Sequence, residues 1–86
     1  MGNREKILII DDSSVQADML RSILEGDYDV TVAHTAESGL HYARVGDFAL
    51  MLVDVIMPGM DGFGLLRKLQ EEVVTSHVPV ILITSL

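Results

Sequence analysis

The chain has 86 residues, of which 49% are hydrophobic and none is cysteine, and its formal net charge is −7 at pH 7. This length allows at most one domain, and the lack of cysteine excludes disulfide bonds and thiolate metal sites. The negative charge disfavours direct nucleic-acid binding by this segment, and no apolar run approaches the roughly 18 residues that a membrane-spanning helix needs. No signal peptide is visible, so we expect a cytoplasmic location.

Four apolar runs alternate along the chain with three segments of helical periodicity. The runs at residues 6–10, 48–53 and 80–84 are apolar almost throughout, which is typical of strands buried on both faces of a parallel sheet. Strands are therefore predicted at residues 6–10, 28–33, 48–53 and 80–84, and helices at 13–26, 35–46 and 63–73. This alternation of strand and helix predicts the α/β class with a parallel sheet.

The predicted helices have recognisable ends and apolar faces. Ser13 and Gln16 fit a capping box, in which Ser13 accepts a backbone N–H and the Gln16 side chain reaches back to the Ser13 backbone. Thr35 is the predicted cap of the second helix, which Gly39 weakens. The side chains expected to face the core are Val15, Met19, Leu20, Ile23 and Leu24 in the first helix, Leu40, Tyr42 and Ala43 in the second, and Phe63, Leu66, Leu69 and Val73 in the third.

Carboxylates follow two of the predicted strands. Asp11 and Asp12 come directly after the first strand, and Asp54 comes directly after the third. If these strands are neighbours, the three carboxylates meet at the carboxyl edge of the sheet, where open α/β sheets bind ligands. A divalent cation would relieve their mutual repulsion, and an all-oxygen set of donors suits Mg²⁺. A single Asp after a strand is more often a turn residue or a helix cap, so the prediction depends on all three.

Two further features are expected near the same edge. A carboxylate can act as a nucleophile and form an acyl phosphate, and Thr84, at the end of the fourth strand, could donate its hydroxyl to a phosphoryl oxygen. The loop at residues 54–62 contains Pro58 and Gly59, which allow a backbone carbonyl near Ile56 to face the metal. On composition alone, an ordinary strand residue is the favoured interpretation of Thr84, and an ordinary strand-to-helix turn is the favoured interpretation of the loop.

Three stretches of the chain carry a specific pattern. They are Ile-Ile-Asp-Asp-Ser at residues 9–13, Leu-Val-Asp-Val-Ile-Met-Pro-Gly-Met-Asp-Gly at 52–62, and Val-Pro-Val-Ile-Leu-Ile-Thr-Ser at 78–85. In these stretches, and in their order and spacing across essentially the whole chain, the sequence resembles the receiver domain of two-component response regulators. The resemblance implies a flavodoxin-like, doubly wound parallel sheet with the strand order 2-1-3-4.

The resemblance also implies a role for each matching position. Asp54 is expected to accept a phosphoryl group from a histidine kinase. Asp11 and Asp12 are expected to bind Mg²⁺, Asp12 directly and Asp11 through water, together with Asp54 and the backbone carbonyl of Ile56. Thr84 is expected to be the switch hydroxyl that moves toward the phosphoryl group. The signal would pass to an output domain or a downstream effector, so the chain is expected to be a signalling domain and not an enzyme.

The sequence departs from the family pattern at its end. The family has five strands and five helices, so residues 1–86 are expected to be the N-terminal part of a receiver domain. The part that would follow carries the family's phosphate-pairing lysine, and neither Lys6 nor Lys68 is placed to replace it. Without that part, phosphorylation is expected to be slow, and self-association is expected through the exposed edge of the fourth strand. The apolar Ile56 is expected to favour a longer-lived phosphoryl group.

Other functions fit the sequence less well. A phosphohydrolase resembling the haloacid dehalogenases needs Asp-x-Asp after the first strand, but Ser13 and Ser14 stand two residues beyond Asp11 and Asp12. Neither aspartate begins the Asp-x-Ser-x-Ser of a metal-dependent adhesion module, and the Gly-x-Gly-x-x-Gly of a dinucleotide-binding domain is absent after this strand. The alternative that stays open is a receiver-like protein-interaction module that is not phosphorylated, and the presence of Asp11, Asp12, Asp54 and Thr84 argues against it.

Overall fold

The computed structural model of the chain describes residues 4–84. Ser85, which belongs to the third matching stretch, lies outside these residues. The predicted seven elements are present in the predicted order. They are β1 (Lys6–Ile10), α1 (Ser14–Leu24), β2 (Asp29–Ala33), α2 (Ala36–Val45), β3 (Leu50–Asp54), α3 (Gly62–Glu71) and β4 (Val80–Ile83).

The four strands form one parallel sheet in the order β2-β1-β3-β4. The α/β class and the strand order 2-1-3-4 are therefore confirmed. The register aligns the carboxyl ends of neighbouring strands, because Ile10 pairs with both Ala33 and Val53, and Asp54 pairs with Ile83. Residues that directly follow β1, β3 and β4 consequently lie along the same edge of the sheet.

Helices cover both faces of the sheet. Alternate residues of the central strands point to opposite sides, so that Leu8 and Ile10 belong to one apolar cluster and Ile7 and Ile9 to another. The larger cluster includes buried residues of α2 and α3, and the smaller one includes Ala17 of α1. This placement of helices on both faces is the doubly wound arrangement, and it explains why the central strands are apolar throughout.

The predicted core face of α1 is partly wrong. Val15, Met19 and Ile23 are exposed, with 75% of the surface of Val15 and 69% of that of Ile23 accessible to solvent. The helix contacts the sheet through Ala17 and its neighbours one and two turns further along, Leu20 and Leu24. The five predicted positions span more of the helix surface than one sheet contact can cover, and the small Ala17 marks the side of closest approach.

The prediction for α3 is also partly wrong. The helix packs against the sheet through Leu65 and Leu69, whereas Phe63 is exposed. Val73, predicted to lie in the helix and to face the core, lies beyond the helix end at Glu71 and is 89% exposed. The chain turns back there, and the buried Thr75 hydroxyl donates to the carbonyl oxygen of Leu69 at 2.6 Å, which satisfies a terminal acceptor of the helix.

Three smaller corrections concern α2 and the strand bounds. Tyr42 is 40% exposed, whereas the buried residues of α2 include Leu40 and Ala43 as predicted. β3 lies two residues later than predicted at its start and includes Asp54 as its last residue. β4 ends one residue earlier than predicted, so Thr84 stands just beyond it. Within residues 4–84, none of the helices is long and apolar enough to cross a membrane.

Candidate metal centre

The three aspartates singled out in the sequence lie together at the carboxyl edge of the sheet. Asp11 and Asp12 follow β1, and Asp54 ends the neighbouring strand β3. One carboxylate oxygen from each residue lies within 4.8 Å of the others. We call these three residues the acidic trio. Asp11 and Asp54 are buried, whereas Asp12 is exposed and gives the trio an opening to solvent.

The beginning of α1 holds the Asp11 carboxylate. Its Oδ1 accepts the backbone N–H of Ser13 at 2.9 Å, and its Oδ2 accepts a hydrogen bond from Nε2 of Gln16. Only half of the predicted capping box is therefore present. Ser13 accepts the Gln16 backbone N–H at 3.2 Å as predicted, but the Gln16 side chain contacts Asp11 because the Asp11 carboxylate already occupies the Ser13 N–H.

Asp54 is buried, with only 3% of the residue surface exposed. Burial raises the pKa of Asp54 above its ordinary value, and the neighbouring carboxylates of Asp11 and Asp12 raise it further. The backbone N–H of Ile56 donates to Asp54 Oδ1 at 3.3 Å and opposes these effects by lowering the pKa. The acidic trio therefore carries an electrostatic cost in the absence of a cation.

The loop after β3 closes tightly on the backbone of Asp54. A Cβ atom at Gly62 would lie 2.5 Å from the Asp54 carbonyl oxygen and 2.7 Å from the Val55 Cα, so glycine alone fits there. The Gly62 N–H donates to the Val55 carbonyl at 2.7 Å. Asp61 caps α3 by accepting the Gly64 N–H at 2.8 Å. The Asp-Gly pair of the matching stretch thus joins α3 to the end of β3.

Thr84 and Ile56 stand near the acidic trio in different ways. Thr84 directly follows Ile83 and is exposed at the same edge of the sheet. The Ile83 carbonyl accepts the Val55 N–H at 2.9 Å, which links the end of β4 to the residue after Asp54. The Ile56 side chain is exposed, and its backbone N–H contacts Asp54. Sequence reasoning missed Gln16 as a neighbour of the trio, and it also missed His34, whose Nδ1 lies 3.1 Å from the Asp11 carbonyl oxygen.

The donor set fits Mg²⁺. The acidic trio offers only oxygen donors, and its exposed member leaves room for the waters that Mg²⁺ usually keeps. Burial and the neighbouring carboxylates raise the pKa of Asp54. A divalent charge would oppose this effect and stabilise the ionised form of Asp54. The chemistry of the residues present therefore suits a hard cation.

Comparison with known proteins decides the family. The sequence profile described as the response regulator receiver domain matches residues 7–86. The chain belongs to this family. A receiver domain protein of known structure from Methanospirillum hungatei superimposes with a TM-score of 0.89 at 33% identity, over 98% of this chain and 66% of that protein. The fold is therefore the flavodoxin-like fold that the resemblance implied.

Curated relatives extend beyond this receiver sequence. The response regulator PleD of Caulobacter vibrioides is 39% identical over 82 residues, which cover 94% of this chain and 18% of PleD. The protein PilH of Pseudomonas aeruginosa is 36% identical over 81 residues, which cover 93% of this chain and 67% of PilH. The chain thus spans less than a fifth of PleD and about two thirds of PilH. The receiver domains to which it belongs are signalling domains.

Proposed function

We propose that this receiver domain accepts a phosphoryl group from a histidine kinase on Asp54, with Mg²⁺ bound by the acidic trio, and passes the signal to an output domain or a downstream effector. The observation that carries the proposal is the geometry of the trio. Three carboxylate oxygens lie within 4.8 Å of one another at the carboxyl edge of a parallel sheet. Membership of the receiver family supports the same reading.

Asp54 is the proposed nucleophile because it combines burial with a fixed orientation. An Asp54 oxygen attacks the phosphorus atom of the kinase phosphohistidine, the P–N bond breaks, and an acyl phosphate forms on Asp54. The Ile56 N–H, 3.3 Å from Asp54 Oδ1, orients the carboxylate for this attack. Bound Mg²⁺ would supply positive charge that stabilises the transferring phosphoryl group. Asp11 and Asp12 would hold the cation beside Asp54.

The remaining roles are part of the same proposal. Thr84 would donate its hydroxyl to the phosphoryl group, which is supported by its place directly after the strand residue that pairs with Asp54. The carbonyl of Ile56 would be a further ligand of Mg²⁺. The proposed location is the cytoplasm, where the domain would meet the kinase.

Binding of beryllofluoride separates this function from a protein-interaction module that is not phosphorylated. Beryllofluoride mimics a phosphoryl group on a carboxylate and needs both Mg²⁺ and the acceptor oxygen. The wild-type protein should bind it in the presence of Mg²⁺, with a fluorine NMR signal that disappears in Asp54→Asn. Asp61→Asn is the matched control, because Asp61 is an exposed aspartate that caps α3. Equal binding by wild type and Asp54→Asn would contradict the proposal.

A further inference from the structure

The side chain of Gln16 makes a contact that helix capping does not explain. Gln16 is half-buried in the first turn of α1, and its Nε2 donates to Asp11 Oδ2. A capping glutamine would instead reach the backbone N–H of Ser13, but that N–H donates to Asp11 Oδ1 at 2.9 Å. Both oxygens of Asp11 are therefore held by the first residues of one helix.

Asp11 needs such donors because it is buried among other carboxylates. Its side chain is fully buried, and one of its oxygens lies within 4.8 Å of oxygens of Asp12 and Asp54. The ion pairs found among residues 4–84 lie elsewhere in the fold. A buried carboxylate is costly unless hydrogen bonds compensate for its lost hydration. Gln16 supplies one of the two side-chain hydrogen bonds that Asp11 accepts in the described part of the chain.

We propose that Gln16 is a positioning residue of the cation site, which holds Asp11 in its place in the acidic trio before a cation binds. The inference rests on the proposed function, because it assumes that the trio binds Mg²⁺. A carboxylate oxygen has two lone pairs, so one donor on each Asp11 oxygen leaves a free acceptor position for the waters around the cation. Gln16 therefore orients the carboxylate without competing for all of its acceptor positions.

The size of the effect follows from what such partners do in other metal sites. Residues that orient a ligand without contacting the metal typically change metal affinity by about 10–100-fold. Without the Gln16 amide, Asp11 keeps only the hydrogen bond from the Ser13 N–H to Oδ1. Its Oδ2 is then no longer held, and the carboxylate can change its orientation. The carboxylate would then have to be reoriented on binding, and the affinity for Mg²⁺ would fall.

The test compares Gln16→Met with Gln70→Met in the intact protein. Methionine keeps the length and helix propensity of glutamine but has no N–H donor. Gln70 is an exposed glutamine of α3, so it controls for the chemical change. The dissociation constant for Mg²⁺ is measured by NMR from the backbone amide signals of Ser13 and Ile56. We expect Gln16→Met to raise the constant about tenfold and Gln70→Met to leave it unchanged.

A second readout distinguishes positioning from helix stability. In the wild type, the side-chain NH₂ signals of Gln16 should shift during the Mg²⁺ titration with the same midpoint as the Ile56 amide, whereas those of Gln70 should not shift. If Gln16 only stabilised α1, its substitution would lower the melting temperature without changing the midpoint of the Ile56 amide. Gln16→Ala removes the same donor with the best helix former, so it decides the matter if Gln16→Met does not fold.

The outcomes separate the two proposals. A folded Gln16 variant that binds Mg²⁺ as tightly as the wild type would overturn the positioning role and leave the proposed function untouched. A wild type whose amide signals do not respond to Mg²⁺ would overturn the proposed function, and the positioning role would fall with it. A tenfold loss confined to the Gln16 variants, with the Gln16 NH₂ signals following the titration, is the expected result.

Discussion

Two glycines of α3 should respond to alanine in opposite directions. A Cβ at Gly62 would lie 2.5 Å from the Asp54 carbonyl oxygen and 2.7 Å from the Val55 Cα, both of which are backbone atoms that cannot rotate away. At Gly64 the nearest atoms, in the side chains of Asp61 and Met60, are 3.4 Å away. Alanine should therefore force the end of β3 to move at Gly62 but fit with little adjustment at Gly64.

The magnitudes follow from these contacts. Overpacking typically costs about 1–3 kcal/mol, and contacts with backbone belong near the upper end of that range. Alanine gains up to about 1 kcal/mol over glycine in a helix interior and less in the first turn, where both residues lie. This gain offsets part of the cost at Gly62 and acts nearly unopposed at Gly64. We expect Gly62→Ala to lower the free energy of unfolding by about 2 kcal/mol and Gly64→Ala to raise it by up to about 1 kcal/mol.

Urea unfolding followed by far-ultraviolet circular dichroism measures both free energies, since the chain has no tryptophan to serve as a fluorescent probe. The difference between the two variants is the quantity of interest, because both replace glycine by alanine in the same helix. If Gly62→Ala were as stable as Gly64→Ala, α3 would not approach the Asp54 backbone as closely as these distances indicate.

Three further predictions concern single side chains. The pKa of Asp54 is raised in the folded protein, so the free energy of unfolding without metal should fall as the pH rises from the usual aspartate pKa of about 3.9 through the folded-state value. Urea unfolding at several pH values measures this fall, which Asp54→Asn should remove. Thr75→Val removes the hydroxyl that donates to the Leu69 carbonyl at 2.6 Å, and it should lower the free energy of unfolding in urea by about 1–3 kcal/mol. Ser76 is exposed, so Ser76→Ala should lower it by less than about 0.5 kcal/mol. Ile56→Asn places a polar group beside the acceptor and should shorten the half-life of the acyl phosphate, and an unchanged half-life would exclude this side chain as a determinant.

The order of the elements could be predicted from the sequence because the strands are unusually uniform. β1 is apolar from Ile7 to Ile10, and such a short run of β-branched and aliphatic residues is typical of a strand covered on both faces. The helix faces were harder to predict, because several apolar positions compete and only one side can touch the sheet. The small Ala17 marks the contact side of α1, and a small residue gives little signal in a hydrophobic pattern.

The acidic trio could be predicted as a group because each member directly follows or ends a strand, and parallel strands end at one edge. The contact from Gln16 to Asp11 could not, because its residue spacing is equally compatible with a capping box. Thr75 was missed for a similar reason. Its hydroxyl acts only because the chain turns back after α3, and nothing in the local sequence specifies that turn.

Mass-spectrometric mapping of the phosphoryl group identifies the residue that accepts it. The intact protein is incubated with Mg²⁺ and its phosphorylated histidine kinase, or with acetyl phosphate where the kinase is not known, and then digested. We expect one acyl phosphate, on the peptide that contains Asp54, which is lost in Asp54→Asn and when Mg²⁺ is chelated. A phosphoryl group that forms on another residue, or that still forms in Asp54→Asn, would show that Asp54 is not the acceptor.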